Sequence, residues 1–198
     1  IKDMAGLCKP KAATKLFSAL KNEISLPIHF HTHDTSGISS ASVIAAADSG
    51  VDIIDGASDS MSGLTSQPNL GSIVESLRST NRDTDLDKDG LRKIANYWEE
   101  VRKFYQPFES DLRSGMADVY EHEMPGGQYT NLREQARAIG IDNSRWTEVT
   151  KAYSDVNKIF GNIVKVTPTS KVVGDLALHM VANDLNRESI EDEKVDIT

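Results

Sequence analysis

Residues 28–34 read Ile28-His29-Phe30-His31-Thr32-His33-Asp34. In an extended strand successive side chains leave on opposite faces, so His29, His31 and His33 share one face while Ile28, Phe30 and Thr32 share the other. Two imidazoles at i and i+2 near a strand end can converge on one metal ion, because neutral imidazole is a common metal ligand. The same pattern also fits a strand of surface histidines, or core histidines bonded to their neighbours. The segment Asp34-Thr35-Ser36-Gly37 then opens into a loop where a substrate can approach.

On either side of this strand the chain alternates strand and helix signals up to about residue 70. Ile1–Met4 reads as the end of a strand entering the turn Ala5-Gly6. A helix is expected over Pro10–Glu23, with proline suited to its first turn and Ala13, Leu16, Phe17 and Leu20 recurring at helical spacing. The histidine strand runs Leu26–His33, an alanine-rich helix Ser39–Ser49 stops at Gly50, and Val51–Asp55 is a short apolar strand. A loop rich in Ser, Gly and Thr covers Ser60–Pro68. Strand, helix, strand, helix, strand with short connections is the mark of βαβ units and a parallel sheet.

Beyond residue 70 the strand signal vanishes. Asp89–Phe108 carries Leu91, Ile94, Trp98, Val101 and Tyr105 in a helical stripe expected to face a core. Further helices are expected over Tyr129–Ile139, Ser144–Phe160 and Pro168–Asn183, the last with Val172, Val173, Leu176 and Met180 on one side. The fold class is therefore α/β followed by an all-helical extension, divided as residues 1–70 and 71–198. Neither half shows an internal repeat or a low-complexity tract.

The 198 residues are ample for a core, and 38% hydrophobic with 26% charged residues suits a globular chain. A formal net charge of −8 argues against a nucleic-acid surface, which needs clustered Lys and Arg. Part of the acidity lies in Arg187–Asp196, expected to be a solvated end. The single cysteine, Cys8, excludes an internal disulfide and suits a reducing cytoplasm. No apolar run approaches the roughly 20 residues of a membrane helix, so no membrane partner is expected. Ile1 is not an initiating residue, and the chain is expected to be a piece of something longer.

Several loops hold chemically useful groups. Met124-Pro125-Gly126-Gly127-Gln128-Tyr129 places two glycines just before a helix, either to let backbone amides approach a ligand or simply to make a turn. Thr167-Pro168-Thr169-Ser170-Lys171 reads as a helix start with Thr167 as N-cap and Pro168 at the first helical position. Its hydroxyl is either only a cap or a fixed donor and acceptor, and Lys171 beside it can bind an anionic or carbonyl oxygen. Lys2 emerges at the same sheet end as the histidines. It is either a surface charge or, carboxylated to a carbamate, an oxygen ligand complementing two imidazoles.

Ile1-Lys2-Asp3-Met4-Ala5-Gly6, His31-Thr32-His33-Asp34-Thr35-Ser36-Gly37, Ser60-Met61-Ser62-Gly63-Leu64-Thr65-Ser66-Gln67-Pro68, Pro125-Gly126-Gly127-Gln128-Tyr129 and Lys165-Val166-Thr167-Pro168-Thr169-Ser170-Lys171 together resemble the carboxyltransferase domain of pyruvate carboxylase. The resemblance runs from Ile1 to about Arg187, with five motifs in order. The wider family includes the α subunit of oxaloacetate decarboxylase and the transcarboxylase 5S subunit. Those decarboxylases tend to carry Gln at the position of Lys171 and to lack Gln128, so both positions look like pyruvate carboxylase.

The resemblance implies the C-terminal portion of a (β/α)₈ TIM-type barrel followed by a helical funnel, with the site at the C-terminal strand ends. It implies a divalent metal, Zn²⁺ or Mn²⁺, held by Lys2 as a carbamate, His31, His33 and an aspartate of the earlier barrel. His29 matches no family ligand and is expected to be structural. Thr167 would shuttle a proton between pyruvate and biotin, while Ser170 and Lys171 would meet the biotin ureido group. The implied partners are pyruvate and oxaloacetate, and the carboxybiotin carrier and biotin carboxylase domains of the same polypeptide. A homo-oligomer, tetrameric in the family, is also implied. The readings left beside it are a decarboxylase- or transcarboxylase-type carboxyltransferase and an inactive structural fragment.

Overall fold

A computed structural model describes residues 1–191. Contacts divide the chain into two compact units, the first spanning Ile1–Ala117 and the second beginning at Asp118. The break in strand signal at residue 70 is thus not where compactness breaks, because the two helices that follow it pack within the first unit.

Three short strands, β1 (Lys2–Asp3), β2 (His29–Thr32) and β3 (Ile53–Ile54), form a parallel sheet in the order β1-β2-β3. Lys2 pairs with His31 and Asp3 with Thr32, while His29 pairs with Ile53 and Phe30 with Ile54. The strands are shorter than the apolar runs suggest, since ladder pairing ends sooner than extended backbone. Helix α1 (Pro10–Glu23) has the predicted bounds, and α2 (Ser39–Asp48) ends one residue before its expected end. The small buried face of α2, with Ser42, Val43, Ala46 and Ala47, lets it pack closely on α1.

The face of β2 opposite the histidines is the core face. Ile28 and Phe30 are buried with Ala13, Phe17, Val43, Val51, Ile73 and Leu77. The rings of Phe17 and Phe30 meet at 4.8 Å between centroids. Asp3 fastens the turn into α1 to this layer: its carboxylate accepts from the Leu7 amide (3.0 Å), the Cys8 amide (2.9 Å) and the Thr32 hydroxyl (2.9 Å).

Helix α3 (Leu70–Leu77) was not expected from the sequence. The Asn69 side chain caps it by accepting from the Ser72 amide, and it buries Ile73, Val74 and Leu77. Helix α4 (Lys88–Tyr105) is capped by Asp87, whose carboxylate accepts from the amides of Asp89 and Gly90. The expected core stripe on α4 is not buried: Ile94, Trp98 and Tyr105 are 53%, 36% and 55% exposed, and Leu91 and Val101 only half-buried. One edge of α4 is tied to the loop before α3, where the Ser60 hydroxyl donates to the Ala95 carbonyl and the Arg102 guanidinium to the Ser60 carbonyl. Among the described residues the aromatic side receives no such cover. Periodicity marks a face that can be buried, not what buries it.

The second unit is helical: α5 (Val119–His122), α6 (Gly126–Ala138), α7 (Trp146–Ile159), α8 (Thr169–Ala182) and α9 (Arg187–Glu191). Both glycines of the Pro-Gly-Gly run lie inside the first turn of α6 rather than before it, and a Cβ at Gly127 would meet nothing within 4 Å. Tyr129, Leu132, Val149, Tyr153, Val156, Val173 and Ala177 build the core. Of the residues expected on one side of α8, Val172 is 50% exposed, and the buried face runs through Val173, Gly174, Ala177, Leu178, Met180 and Val181. Residues 192–196 of the acidic segment 187–196 lie outside the described residues; within the rest Arg187 pairs with Glu191 at 2.7 Å.

His122 is buried and stacks on Tyr129 with centroids 5.3 Å apart. Its Nδ1 accepts from the Met124 amide at 3.0 Å, so the proton is on Nε2, which has no hydrogen-bond partner among the described residues. Burial, opposed by the charges of Asp118 and Glu123, brings its pKa down to about 4.

Two predictions follow from this packing. Phe17→Ala should cost about 3–5 kcal/mol, read as a shift of the denaturation midpoint. For His122 both folded and unfolded states are neutral above about pH 6.5; below it the unfolded state binds a proton that the folded state refuses until about pH 4. Stability should therefore fall across that window by roughly 3 kcal/mol, and His122→Asn should remove most of that loss in urea unfolding at pH 7 and pH 4.5.

Candidate functional site

The histidine face of β2 is arranged by its neighbours. His31 Nδ1 lies 2.7 Å from one Asp55 oxygen, and His29 Nε2 lies 2.7 Å from the other. His33 Nδ1 lies 2.7 Å from the Thr65 carbonyl. A carbonyl can only accept, so His33 carries its proton on Nδ1. An ionised carboxylate likewise only accepts, and burial of Asp55 is outweighed by the hydrogen bonds from His29 and His31, which hold its carboxyl below the ordinary range. His31 therefore also carries its proton on Nδ1.

With both rings neutral, both Nε2 atoms are left with lone pairs, and they face each other at 3.3 Å. Burial lowers the His33 pKa against the pull of the Thr65 hydrogen bond, and neighbouring His31 and Lys2 lower it further. Two neutral acceptors at this distance have no proton to share. A cation between them resolves the conflict, and two nitrogens each about 2.0–2.1 Å from one tetrahedral Zn²⁺ lie about 3.3 Å apart. A carboxylate or carbonyl behind each ring is the usual outer support of a metal-binding histidine. The residues present thus fit a metal ion.

The backbone around His33 is equally constrained. Gly6 sits at φ +71°, and a Cβ there would collide with the His33 carbonyl. That carbonyl accepts from the Ser39 hydroxyl at 2.5 Å, while the Ser36 hydroxyl donates to the Gly6 carbonyl at 2.8 Å. Asp34 Oδ1 accepts from the Ser39 amide at 3.0 Å near the start of α2, and burial raises the pKa of its carboxyl.

Lys2 pairs in register with His31, so it leaves β1 on the histidine face, where it is exposed. Among the described residues no third histidine, cysteine or carboxylate joins the two imidazoles as a metal cluster. His29 faces the same side but is bonded to Asp55 and turned to solvent, in keeping with a structural role. Asp55 was not singled out in the sequence, although the period of two from Ile53 puts it on the histidine face beside His31.

The second group of predicted residues lies at the start of α8. Thr167 is not the N-cap: the helix begins at Thr169, with Pro168 in the cap position. The Ser170 amide is already bonded to the Val166 carbonyl, and those of Lys171 and Val172 to the Pro168 carbonyl. Among the described residues the Thr167 hydroxyl accepts from no amide of that turn. The Thr169 hydroxyl instead fastens the preceding segment through the Val164 and Val166 carbonyls, both at 2.6 Å. Among the described residues neither Thr167 nor Ser170 spends its hydroxyl on a protein partner. Lys171 makes an exposed 2.6 Å pair with Asp175, of the kind that water readily replaces. Half-buried Lys165 reaches Glu123 at 3.1 Å and ties this segment to the end of α5.

Two family profiles match the chain: an HMGL-like profile over residues 1–97 and a conserved carboxylase domain profile over residues 119–198. Pyruvate carboxylase of Schizosaccharomyces pombe is 52% identical over 192 residues, which is 96% of this chain and 16% of that protein. The carboxyl transferase domain of Rhizobium etli pyruvate carboxylase, solved with pyruvate and biocytin, superposes with a TM-score of 0.93 at 59% identity, covering 96% of this chain and 32% of that one. The complete multifunctional enzyme from the same organism gives the same score and identity, with 18% of its chain covered. The chain thus spans about one sixth of its curated relative and about a third of the solved domain. The three parallel strands and their helices are part of a TIM-type barrel, and the chain belongs to the family of pyruvate carboxylase carboxyltransferase domains.

Proposed function

We propose that this chain is the C-terminal barrel portion (residues 1–70) and helical funnel (71–198) of a biotin-dependent pyruvate carboxylase. Its function is to move a carboxyl group from carboxybiotin to pyruvate, giving oxaloacetate. The observation that carries the reading is the pair of Nε2 lone pairs 3.3 Å apart, with both Nδ1 protons committed elsewhere. Such a pair is of use chiefly to a cation.

In this reading His31 and His33 hold a Zn²⁺ or Mn²⁺ ion through Nε2, with Lys2 as a carbamate supplying an oxygen beside them. When bound, the ion polarises the pyruvate carbonyl region and favours loss of a methyl proton. Asp55 and the Thr65 carbonyl keep both rings in the tautomer that presents Nε2. The Thr167 hydroxyl, with no partner to leave among the described residues, takes the pyruvate methyl proton and passes it to the biotin ring nitrogen that gives up the carboxyl group. Ser170 and Lys171 meet the ureido oxygen, where a hydroxyl and an ammonium offset developing negative charge. The carboxyl donor arrives on a carrier domain charged by a biotin carboxylase domain of the same polypeptide. The whole acts as a homo-oligomer, and the single cysteine suits a cytoplasmic setting.

The test uses the full-length protein that contains this chain, supplied with ATP, bicarbonate and pyruvate. Oxaloacetate formation that depends on biotin and on a bound divalent metal is expected; its absence with biotin and metal both present would overturn the reading. His31→Ala and His33→Ala should each abolish stoichiometric metal by elemental analysis. Asp55→Asn should weaken metal affinity about 10–100-fold by competition with a chelator. Because Thr167 caps nothing, Thr167→Ala should change stability by no more than about 0.5 kcal/mol while slowing carboxyl transfer by about 10²–10⁴. Bicarbonate-dependent ATP cleavage should persist in that variant, and Thr167→Ser should retain part of the rate.

A further inference from the structure

Tyr153, in the middle of α7, is fully buried, yet its hydroxyl is not idle. It lies 2.9 Å from Gln128 Oε1, and the amide nitrogen of the same Gln128 reaches the Ser170 carbonyl. The directions of both bonds are fixed. The Ser170 carbonyl can only accept, so the Gln128 amide must present Nε2 to it and Oε1 to Tyr153. Oε1 also only accepts, so Tyr153 must donate. Burial first, and then the charge of Glu123, raise the phenol pKa far above its ordinary value, so that this donor proton is never lost.

Gly174 completes the arrangement from α8. A Cβ there would lie 2.5 Å from Gln128 Nε2 and 3.0 Å from Leu132 Cδ1, so the amide rests where only a glycine leaves room. Residues from α6, α7 and α8 therefore converge on one amide. What that amide holds is the main chain of Ser170, in the helical turn that also bears Lys171 and follows directly on Thr167. The Ser170 side chain is left free by this bond.

We infer that Tyr153 is a positioning residue for carboxyl transfer: through Gln128 it fixes the first turn of α8, and so the place from which Ser170 and Lys171 meet the carboxyl carrier. The inference rests on the reading given under Proposed function.

The experiment uses the full-length enzyme with Tyr153→Phe, which keeps the ring and removes the donor. Pyruvate carboxylation should fall by about 10–100-fold, since misplacing a reacting group by about 1 Å is enough for that. Bicarbonate-dependent ATP cleavage and bound metal should stay at wild-type levels. Run in reverse, with free biotin as carboxyl acceptor, the KM for biotin should rise while the KM for oxaloacetate does not. Gln128→Leu should match Tyr153→Phe, and the double variant should be no slower than either single one, because all three lose the same contact. If Tyr153→Phe does not fold, Gly174→Ala applies the same test by displacing the amide from the other side. Near wild-type transfer and an unchanged biotin KM, alongside a crippled Thr167→Ala, would overturn the positioning role and leave the carboxyl-transfer reading standing. Both variants at wild-type rate would overturn that reading and this inference together. A parallel rise in both KM values would show general loosening of the unit and would also overturn it.

Discussion

Two protons decide what the strand-end site can be. His31 gives its Nδ1 proton to Asp55 and His33 gives its own to the Thr65 carbonyl, so two lone pairs are left opposing each other. Imidazole alone is indifferent between donor, acceptor and cation; the choice is made by what stands behind the ring. Here the supports come from β3 and from the loop after it, so the sheet order and the fold of residues 56–68 both bear on the site. That loop is itself held in place: Gly63 and Gln67 pair across it, the Asp34 amide bonds to the Ser66 carbonyl, and Arg102 reaches the Ser60 carbonyl from α4. Helix α4, which carries no predicted site residue, thereby helps to keep the Thr65 carbonyl where His33 needs it.

Local rules made much of this readable in the sequence. The alternation in residues 28–33 assigned every side chain to its observed face, and the Pro10 start of α1 was set by the same proline that fits a first turn. Helix α3 carried its own signal, with Leu70, Ile73, Val74 and Leu77 at helical spacing after the capping Asn69. At eight residues, directly behind a Ser- and Gly-rich loop, it was easily taken for more of that loop. What local rules could not supply was partnership. The apolar stripe of α4 has the right period but stays largely exposed, and Asp55 acquires its meaning only beside His31, 24 residues away in sequence.

Thr167 shows the opposite failure. A threonine before a proline at a helix start has the sequence of a cap, yet the amides of Ser170, Lys171 and Val172 bond to Val166 and Pro168, and among the described residues that hydroxyl is unused. A cap and a free hydroxyl look identical in sequence because the difference lies in where the first main-chain bonds close. Gln128 was noticed only as a mark of kinship, while its partners Tyr153 and Ser170 sit 25 and 42 residues away.

The two-sided use of β2 also governs how the chain can change its length. Because side chains alternate strictly, one residue inserted or deleted at the start of 28–33 would turn Phe30 and Thr32 onto the histidine face and drive imidazoles into the packing around Phe17. No single side-chain change could repair that, since core and ligand set would be exchanged at once. The stretch between α3 and α4, where residues 79–87 connect two helices largely at the surface, lies under no such rule. Length variation in descendants of this chain is therefore confined to connections of that kind, while β2 drifts only by substitution.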